Sequence, residues 1–301
     1  MMAVSTSIQI AGIDFILSFQ DSIVLDKLPE AYQHFIKSTD SENGYTSVNI
    51  DLKINNLPDT DHLKKIFDSD QSWSMFINED EYFLTLSPPA LDKKAVWLAR
   101  FHRSFDKATI YCSEMLMREV NGETKLGNPF SYPLDQLLLM YILSRRDGMI
   151  IHAAGITLNE RGYIFAGKSG AGKSTLSKEF VLRNNSEVLS DDRIVVRKIN
   201  NLFQAYGTPW QGEAEIAMNK GVPLSGIFFL SHGSYNRIEE IKPQEALEKL
   251  LPVVSIPWYD KEVMTSILTF CDDIISNIPV YELFFKPDRE IIDVFEKFLP
   301  K

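Results

Sequence analysis

The stretch Tyr163-Ile164-Phe165-Ala166-Gly167-Lys168-Ser169-Gly170-Ala171-Gly172-Lys173-Ser174 decides how this chain is read. From Gly167 to Ser174 it satisfies the phosphate-binding pattern G-x-x-x-x-G-K-[ST] at every fixed position. The short apolar run in front suits a buried strand. The run behind, Thr175-Leu176-Ser177-Lys178-Glu179-Phe180-Val181-Leu182, suits a helix. A glycine-rich turn alone says little, whereas strand, glycine loop and helix in that order make a physical claim. Glycines let the backbone curl so that successive N–H groups face one centre. A helix starting there adds the positive end of its dipole. Lys173 can then reach the outer phosphates of a nucleotide, and Ser174 can offer its hydroxyl oxygen to Mg²⁺.

Composition bounds the rest. The 301 residues suffice for one large domain or two modest ones with a sizeable core. An apolar fraction of 45% and a charged fraction of 24% are ordinary for a soluble globular protein. No apolar run approaches the ~18 residues of a membrane helix. The first residues lack the basic and apolar regions of a signal peptide, so the expected location is cytoplasmic, with no membrane partner. A formal net charge of -10 without a basic block argues against a nucleic-acid partner. Two cysteines, Cys112 and Cys271, support neither a disulfide framework nor a zinc site.

Up to about residue 128 the chain alternates. Ile13, Phe15, Leu17 and Phe19 share one side of an extended strand, as do Val48, Ile50, Leu52 and Ile54. Trp73 to Ile77 and Tyr82 to Leu86 repeat the pattern around Asn78-Glu79-Asp80, which reads as a hairpin turn. Further strands are expected at 95–100 and 109–112. Repeated period-two patterning predicts antiparallel β-structure. A short helix is expected over 59–67. His34, His62 and His102 are isolated and read as surface or structural residues. The polar stretch 121–129 is the expected linker, dividing a β-rich region, 1–128, from a second domain, 129–301.

Past that linker, Pro133 suits the first turn of a helix running to about Arg146. Met149-Ile150-Ile151 reads as a buried strand, then His152, then a second strand over 155–158. After the loop helix, Val188-Leu189-Ser190 leads into Asp191-Asp192. Catalytic groups in α/β sheets gather at such strand ends. Neighbours on an extended chain point opposite ways, so the two carboxylates are expected to do different jobs, one facing an incoming hydroxyl and the other a metal or its waters. Residues 194–199 and 202–206 form an expected hairpin about Asn200-Asn201. The loop 207–213, with Trp210 and Glu213, is a candidate clamp over a substrate or nucleotide. Strands at 227–230 and 280–285 follow, with helices over 243–251, 264–275 and 291–298.

His152, Gly167 to Ser174 and Asp191-Asp192, in that order, resemble the catalytic domain of HPr serine kinase/phosphorylase. In that family a histidine lies shortly before the loop strand and an Asp-Asp pair follows the loop helix. The spacings match, with 21 residues from His152 to Lys173 and 18 from Lys173 to Asp191. The likeness is good over 145–200 and weak to about 250. That family is akin to the ATP-dependent phosphoenolpyruvate carboxykinases. The resemblance implies an α/β P-loop core with a mixed sheet, preceded by a β-rich N-terminal part. It implies an ATP- and Mg²⁺-dependent kinase acting on a hydroxyl, with a serine of a protein or peptide as acceptor. Asp191 would be the catalytic base and His152 its neighbour. Lys173 would hold the transferring phosphate. Gly167, Lys168, Ser169, Gly170, Ala171, Gly172, Lys173, Ser174 and Thr175 would bind the nucleotide, and Ser174 and Asp192 the Mg²⁺.

The family's downstream arginine-bearing stretch and its glycine-rich signature with a metal-binding glutamate have no counterpart here. Residues 207–213 occupy that place. The resemblance therefore does not carry phosphorylase activity, or recognition of HPr, onto this chain. It is closer to the divergent HPr-kinase-like proteins that accompany peptide-modification systems. Two other readings stay open: a small-molecule kinase or carboxykinase-like enzyme, and a nucleotide-binding regulator without catalysis. Residue patterns also leave a homo-oligomer open.

Overall fold

The computed structural model describes residues 3–20, 23–37, 46–70, 72–92, 94–183, 185–286 and 290–299. Its contacts divide the chain into two compact units, Met1–Ile142 and Leu143–Lys301. No helix among the described residues is long and apolar enough to cross a membrane.

The first unit carries β1 (Ala3–Ile10), β2 (Ile13–Gln20), β3 (Ile36–Lys37), β4 (Thr46–Ile54), β5 (Lys64–Asp68), β6 (Trp73–Ile77), β7 (Glu81–Leu86), β8 (Trp97–His102) and β9 (Lys107–Cys112). They form one sheet in the order β3-β1-β2-β4-β9-β8-β7-β6-β5. The alternation is borne out in burial, since Phe15, Leu17, Val48 and Ile50 are all fully buried. The expectation of an antiparallel sheet holds only in part, because β4 runs parallel to both β2 and β9. Period-two patterning reports which face is buried and carries no information on strand direction. Asn78 makes the expected turn, its Oδ1 accepting from Asp80 N at 3.2 Å and Glu81 N at 2.9 Å. The helix expected over 59–67 is absent. Lys64–Asp68 is instead the edge strand paired with β6, and Phe67 packs on the Trp73 ring at 4.6 Å.

The expected linker is also corrected. Asn121-Gly122, both at positive φ, make the tight turn of a hairpin, β10 (Met117–Val120) and β11 (Glu123–Leu126). The contact division falls after Ile142 rather than at 128/129. The reason lies in α1 (Leu134–Ser144), which is buried in the first unit. Its Tyr141 ring lies 5.0 Å from Tyr82 and 5.5 Å from Phe105, and the Tyr32 hydroxyl donates to buried Asp135.

The second unit is built on two long strands that each pair with three others. β12 (Gly148–Leu158) joins what reads in sequence as two strands. Its residues 148–152 pair with β15 (Arg193–Ile199), and 153–158 with β13 (Arg161–Ala166), while β14 (Ser186–Ser190) takes its other edge. The small residues Ala153, Ala154 and Gly155 look like a break but let neighbouring layers close in. A Cβ on Gly155 would run into the Ile194 side chain. β16 (Leu202–Tyr206) follows β15 through Asn200-Asn201, both left-handed. β17 (Gly221–His232) pairs with β16 along its start and, in parallel, with β13 further on. β18 (Arg237–Glu240) and β19 (Val280–Phe285) complete this mixed α/β arrangement.

Helix α2 (Lys173–Val181) and, beyond α3 (Pro243–Leu250) and α4 (Lys261–Asn277), the last helix α5 (Glu290–Phe298) cover β13 and β17. Phe165 of β13, Phe228 of β17, Phe180 of α2 and Phe295 of α5 have ring centroids 5.1–5.8 Å apart in every adjacent pair. This aromatic cluster fixes α2 against β13, and so fixes the loop between them. Cys271 packs within 3.6 Å of Met149 Sδ, and burial pushes its thiol up to about 12, consistent with a packing role. Phe165→Ala should destabilise the protein by about 3–5 kcal/mol. Denaturant unfolding measures this, and a loss below about 1 kcal/mol would remove the cluster as the anchor of α2.

Candidate functional site

Strand register brings the site together. Ala153 pairs with Ala166, so His152 on β12 lies beside the point where β13 enters the glycine loop. His152 itself pairs with Arg193 at the start of β15. Gly155 pairs with Ser190, so β14 delivers Asp191 and Asp192 to the same end of the sheet.

The loop between β13 and α2 turns through Gly170 (φ +81°) and Gly172 (φ +97°). Only glycine adopts these values without strain. At Gly172 a Cβ would also meet the Phe285 ring at 2.9 Å, so that position is closed twice over. Gly170 faces open space. Lys173, the first residue of α2, is 7% exposed. Its ammonium lies across the loop, donating to Gly167 O at 2.9 Å and Lys168 O at 3.3 Å. Burial pulls its pKa below the ordinary lysine value; Asp192 and Asp191 oppose this, and Arg193 adds to it.

The two adjacent aspartates differ sharply. Asp191 is 1% exposed and points into the wall of the site. Its Oδ1 accepts from Gly212 N at 2.9 Å and Ile216 N at 3.4 Å, and its Oδ2 from Ala214 N at 2.7 Å. A Cβ on Gly212 would fall 2.7 Å from that same Oδ2. Around this bond the loop is strapped down further. Ser190 Oγ donates to Trp210 O at 3.3 Å, Thr208 Oγ1 to Arg193 O at 2.7 Å, and Met218 N to Leu189 O at 2.9 Å. The loop 207–216 is thus a fixed wall, and Glu213 and Glu215 lie exposed on it.

Asp192 faces the other way. Its Oδ1 lies 3.0 Å from His152 Nε2 and its Oδ2 lies 3.4 Å from Arg193 Nε. Burial alone would raise its pKa, but the His152 hydrogen bond and the charges of Arg193 and Lys173 outweigh this and hold it below the usual carboxylate value. The carboxylate turned toward Lys173 and His152 is therefore Asp192, whereas the sequence expectation gave Asp191 to the acceptor. Asp191 accepts three backbone N–H groups, two on Oδ1 and one on Oδ2. Arg193, absent from the sequence-based site, joins it because β15 begins there, and its only sequence signal was adjacency to the aspartates.

A groove of about 660 Å³ opens along the other side of the glycine loop. Residues 166–171 form one wall, and Phe229 to His232, Glu248, Lys249, Pro252 and Val253 the other. Parallel pairing of Ala166 with Phe229 is what sets the two strand ends side by side. Behind the groove Glu282, on β19, accepts from Ser231 Oγ at 2.5 Å and Lys249 Nζ at 3.0 Å. Burial would raise the Glu282 pKa, but these two partners and Arg237 bring it below the ordinary 4.5.

The family model described as SynChlorMet cassette protein ScmC matches residues 134–286, a span that holds all the residues of this site. Among solved structures, the HPr(Ser) kinase/phosphatase from Coxiella burnetii is similar at 15% identity, over 49% of this chain and 86% of that one, with a TM-score of 0.29. No curated protein matches the chain.

Asp191→Ala should strand three backbone donors and lower stability by about 2–4 kcal/mol, with faster amide exchange at 212, 214 and 216. Asp192→Asn should leave both near the parent values, and equal effects would contradict the division of roles. Glu282 titrates lower folded than unfolded, so its contribution is present above about pH 4.5 and is lost as acid carries the protein through the folded pKa. The melting-temperature gap between parent and Glu282→Gln should therefore be widest at neutral pH and close on acidification. A gap that widens in acid would reverse the sign.

Proposed function

The chain belongs to the ScmC family, and for its site we propose ATP- and Mg²⁺-dependent phosphoryl transfer to a hydroxyl, carried by a serine of a protein or peptide. The observation that carries this reading is the cluster of Lys173, Asp192, His152 and Arg193 at the mouth of the glycine loop. A pure nucleotide binder has no use for an ionised, half-buried carboxylate held beside the loop lysine.

The backbone N–H groups of the loop and the start of α2 would grip the phosphates, with Gly167 to Thr175 as the contact set. Lys173 would exchange the carbonyls of Gly167 and Lys168 for the outer phosphate oxygens. Ser174 and Asp192 are the residues that would hold Mg²⁺. No group of three or more acidic, histidine or cysteine side chains suited to a metal occurs among the described residues. One hydroxyl and one carboxylate fit Mg²⁺, which commonly takes few protein ligands and completes its shell with phosphates and water. When bound, the ion neutralises charge on the β- and γ-phosphates.

In phosphoryl transfer the protein mainly positions groups and balances charge. Asp192 accepts the proton of the attacking hydroxyl. His152 and Arg193 hold its two oxygens and so fix its orientation. Arg193 and Lys173 together offset the negative charge of the transferring group. Asp191 acts only through the wall it anchors. The duties that sequence order divides between two carboxylates fall here to one.

Asp192→Asn should lower phosphoryl transfer by about 10²–10⁴-fold while leaving the affinity for ATP measured without Mg²⁺ close to the parent. Single-turnover assays with labelled ATP, read against protein, peptide and small hydroxyl compounds, measure both. Undiminished transfer in Asp192→Asn would remove the base assignment. Label on a small compound alone would replace the acceptor class, and ATP binding without turnover on any acceptor would make the protein a non-catalytic binder.

A further inference from the structure

The groove beside the glycine loop is not used by the chemistry above. Its floor is the loop itself, since Gly167 packs against Leu230, with a Cβ there falling 3.4 Å from Leu230 Cβ. Its far wall is apolar along Phe229, Leu230 and Val253, with Pro252 at the rim. Leu230, Phe229 and Val253 are each more than nine-tenths buried, so this wall is a built surface rather than a mobile flap. Val254 extends it, bridging to Ile151 of β12.

Charge decides what fits. Away from the loop, the one lysine lining the groove is Lys249, and its ammonium is held by Glu282 at 3.0 Å and Glu245 at 3.7 Å. Glu248 adds a carboxylate at the rim. On that wall Glu248 and the Glu245 and Glu282 partners of Lys249 outnumber its basic side chains, Lys249 and His232, which disfavours an anionic substrate. A flat neutral ring meets apolar surface it can cover. The volume, about 660 Å³, falls in the range of small-molecule sites.

We infer that this groove is the nucleoside compartment of the site, taking the base and sugar of a nucleotide whose phosphates lie on the loop. The inference rests on the reading of residues 167–174 as a phosphate grip. It adds that binding of the nucleoside half comes from ring burial against Leu230, Pro252 and Val253. It also places the phosphate acceptor on the other side of the loop, with Asp192 and His152.

Pro252 is exposed at the rim, so Pro252→Trp fills the groove without disturbing the core. Calorimetry with the full chain would use two probes, ATP and inorganic tripolyphosphate, each with Mg²⁺. The expected result is ATP binding weakened by about tenfold or more in Pro252→Trp, with tripolyphosphate affinity unchanged within about twofold. Unchanged affinity for both probes would overturn the nucleoside compartment and leave the phosphate grip standing. Failure of the parent protein to bind either probe would overturn the phosphate grip, and this inference with it.

Discussion

The site depends on one carboxylate that is tied to backbone through both of its oxygens. Asp191 accepts three backbone N–H groups from residues 212, 214 and 216, at the end of a strand where the chain must also turn. A buried carboxylate is tolerated when hydrogen bonds compensate its lost hydration, and here the backbone of a loop far along the chain supplies three. The bond works in both directions. It offsets the cost of burying Asp191, and it ties the loop 207–216 to the end of β14. Asp191 and Asp192 form the bend between β14 and β15, and there Asp191 is held inward while Asp192 faces the other way, toward Lys173 and His152.

The same economy of parts appears beneath the glycine loop. Phe165, Phe180, Phe228 and Phe295 come from a strand before the loop, the helix after it, a parallel neighbour and the last helix. They hold the two ends of the loop against one body. Gly172 packs directly on Phe285, at the end of β19. The loop thus needs no side chains of its own to keep its shape. Its polar backbone groups stay available because apolar rings behind it carry the packing.

How much of this could be read from residues alone varied with the range of the forces involved. The order strand, glycine loop, helix was legible around Gly167 to Ser174 because each signal is local. Asn200-Asn201 was legible for the same reason, since Asn accepts the positive φ of a two-residue turn. The expectation that Asp191 and Asp192 point different ways holds, although they lie in the bend between β14 and β15 and not on an extended strand. Which of the two faces the site was not legible, because the deciding partners lie more than twenty residues on, with Gly212 as their only mark. Residues 59–67 failed in another way, since pairing with β6 outweighed local preference. Arg193 went unremarked because an arginine after two aspartates reads as a surface charge until the strand pairing is known.

One feature bears on how such a site can change over generations. β12 has His152 as the last residue of its ladder with β15 and Ala153 as the first of its ladder with β13. Most substitutions along it would alter packing and leave both ladders in place. Removing or adding a single residue would turn every later side chain to the opposite face and carry the two ladders out of step. His152 would leave Asp192, and the glycine loop would lose its neighbour, in one event. The strand can therefore drift in composition far more readily than in length.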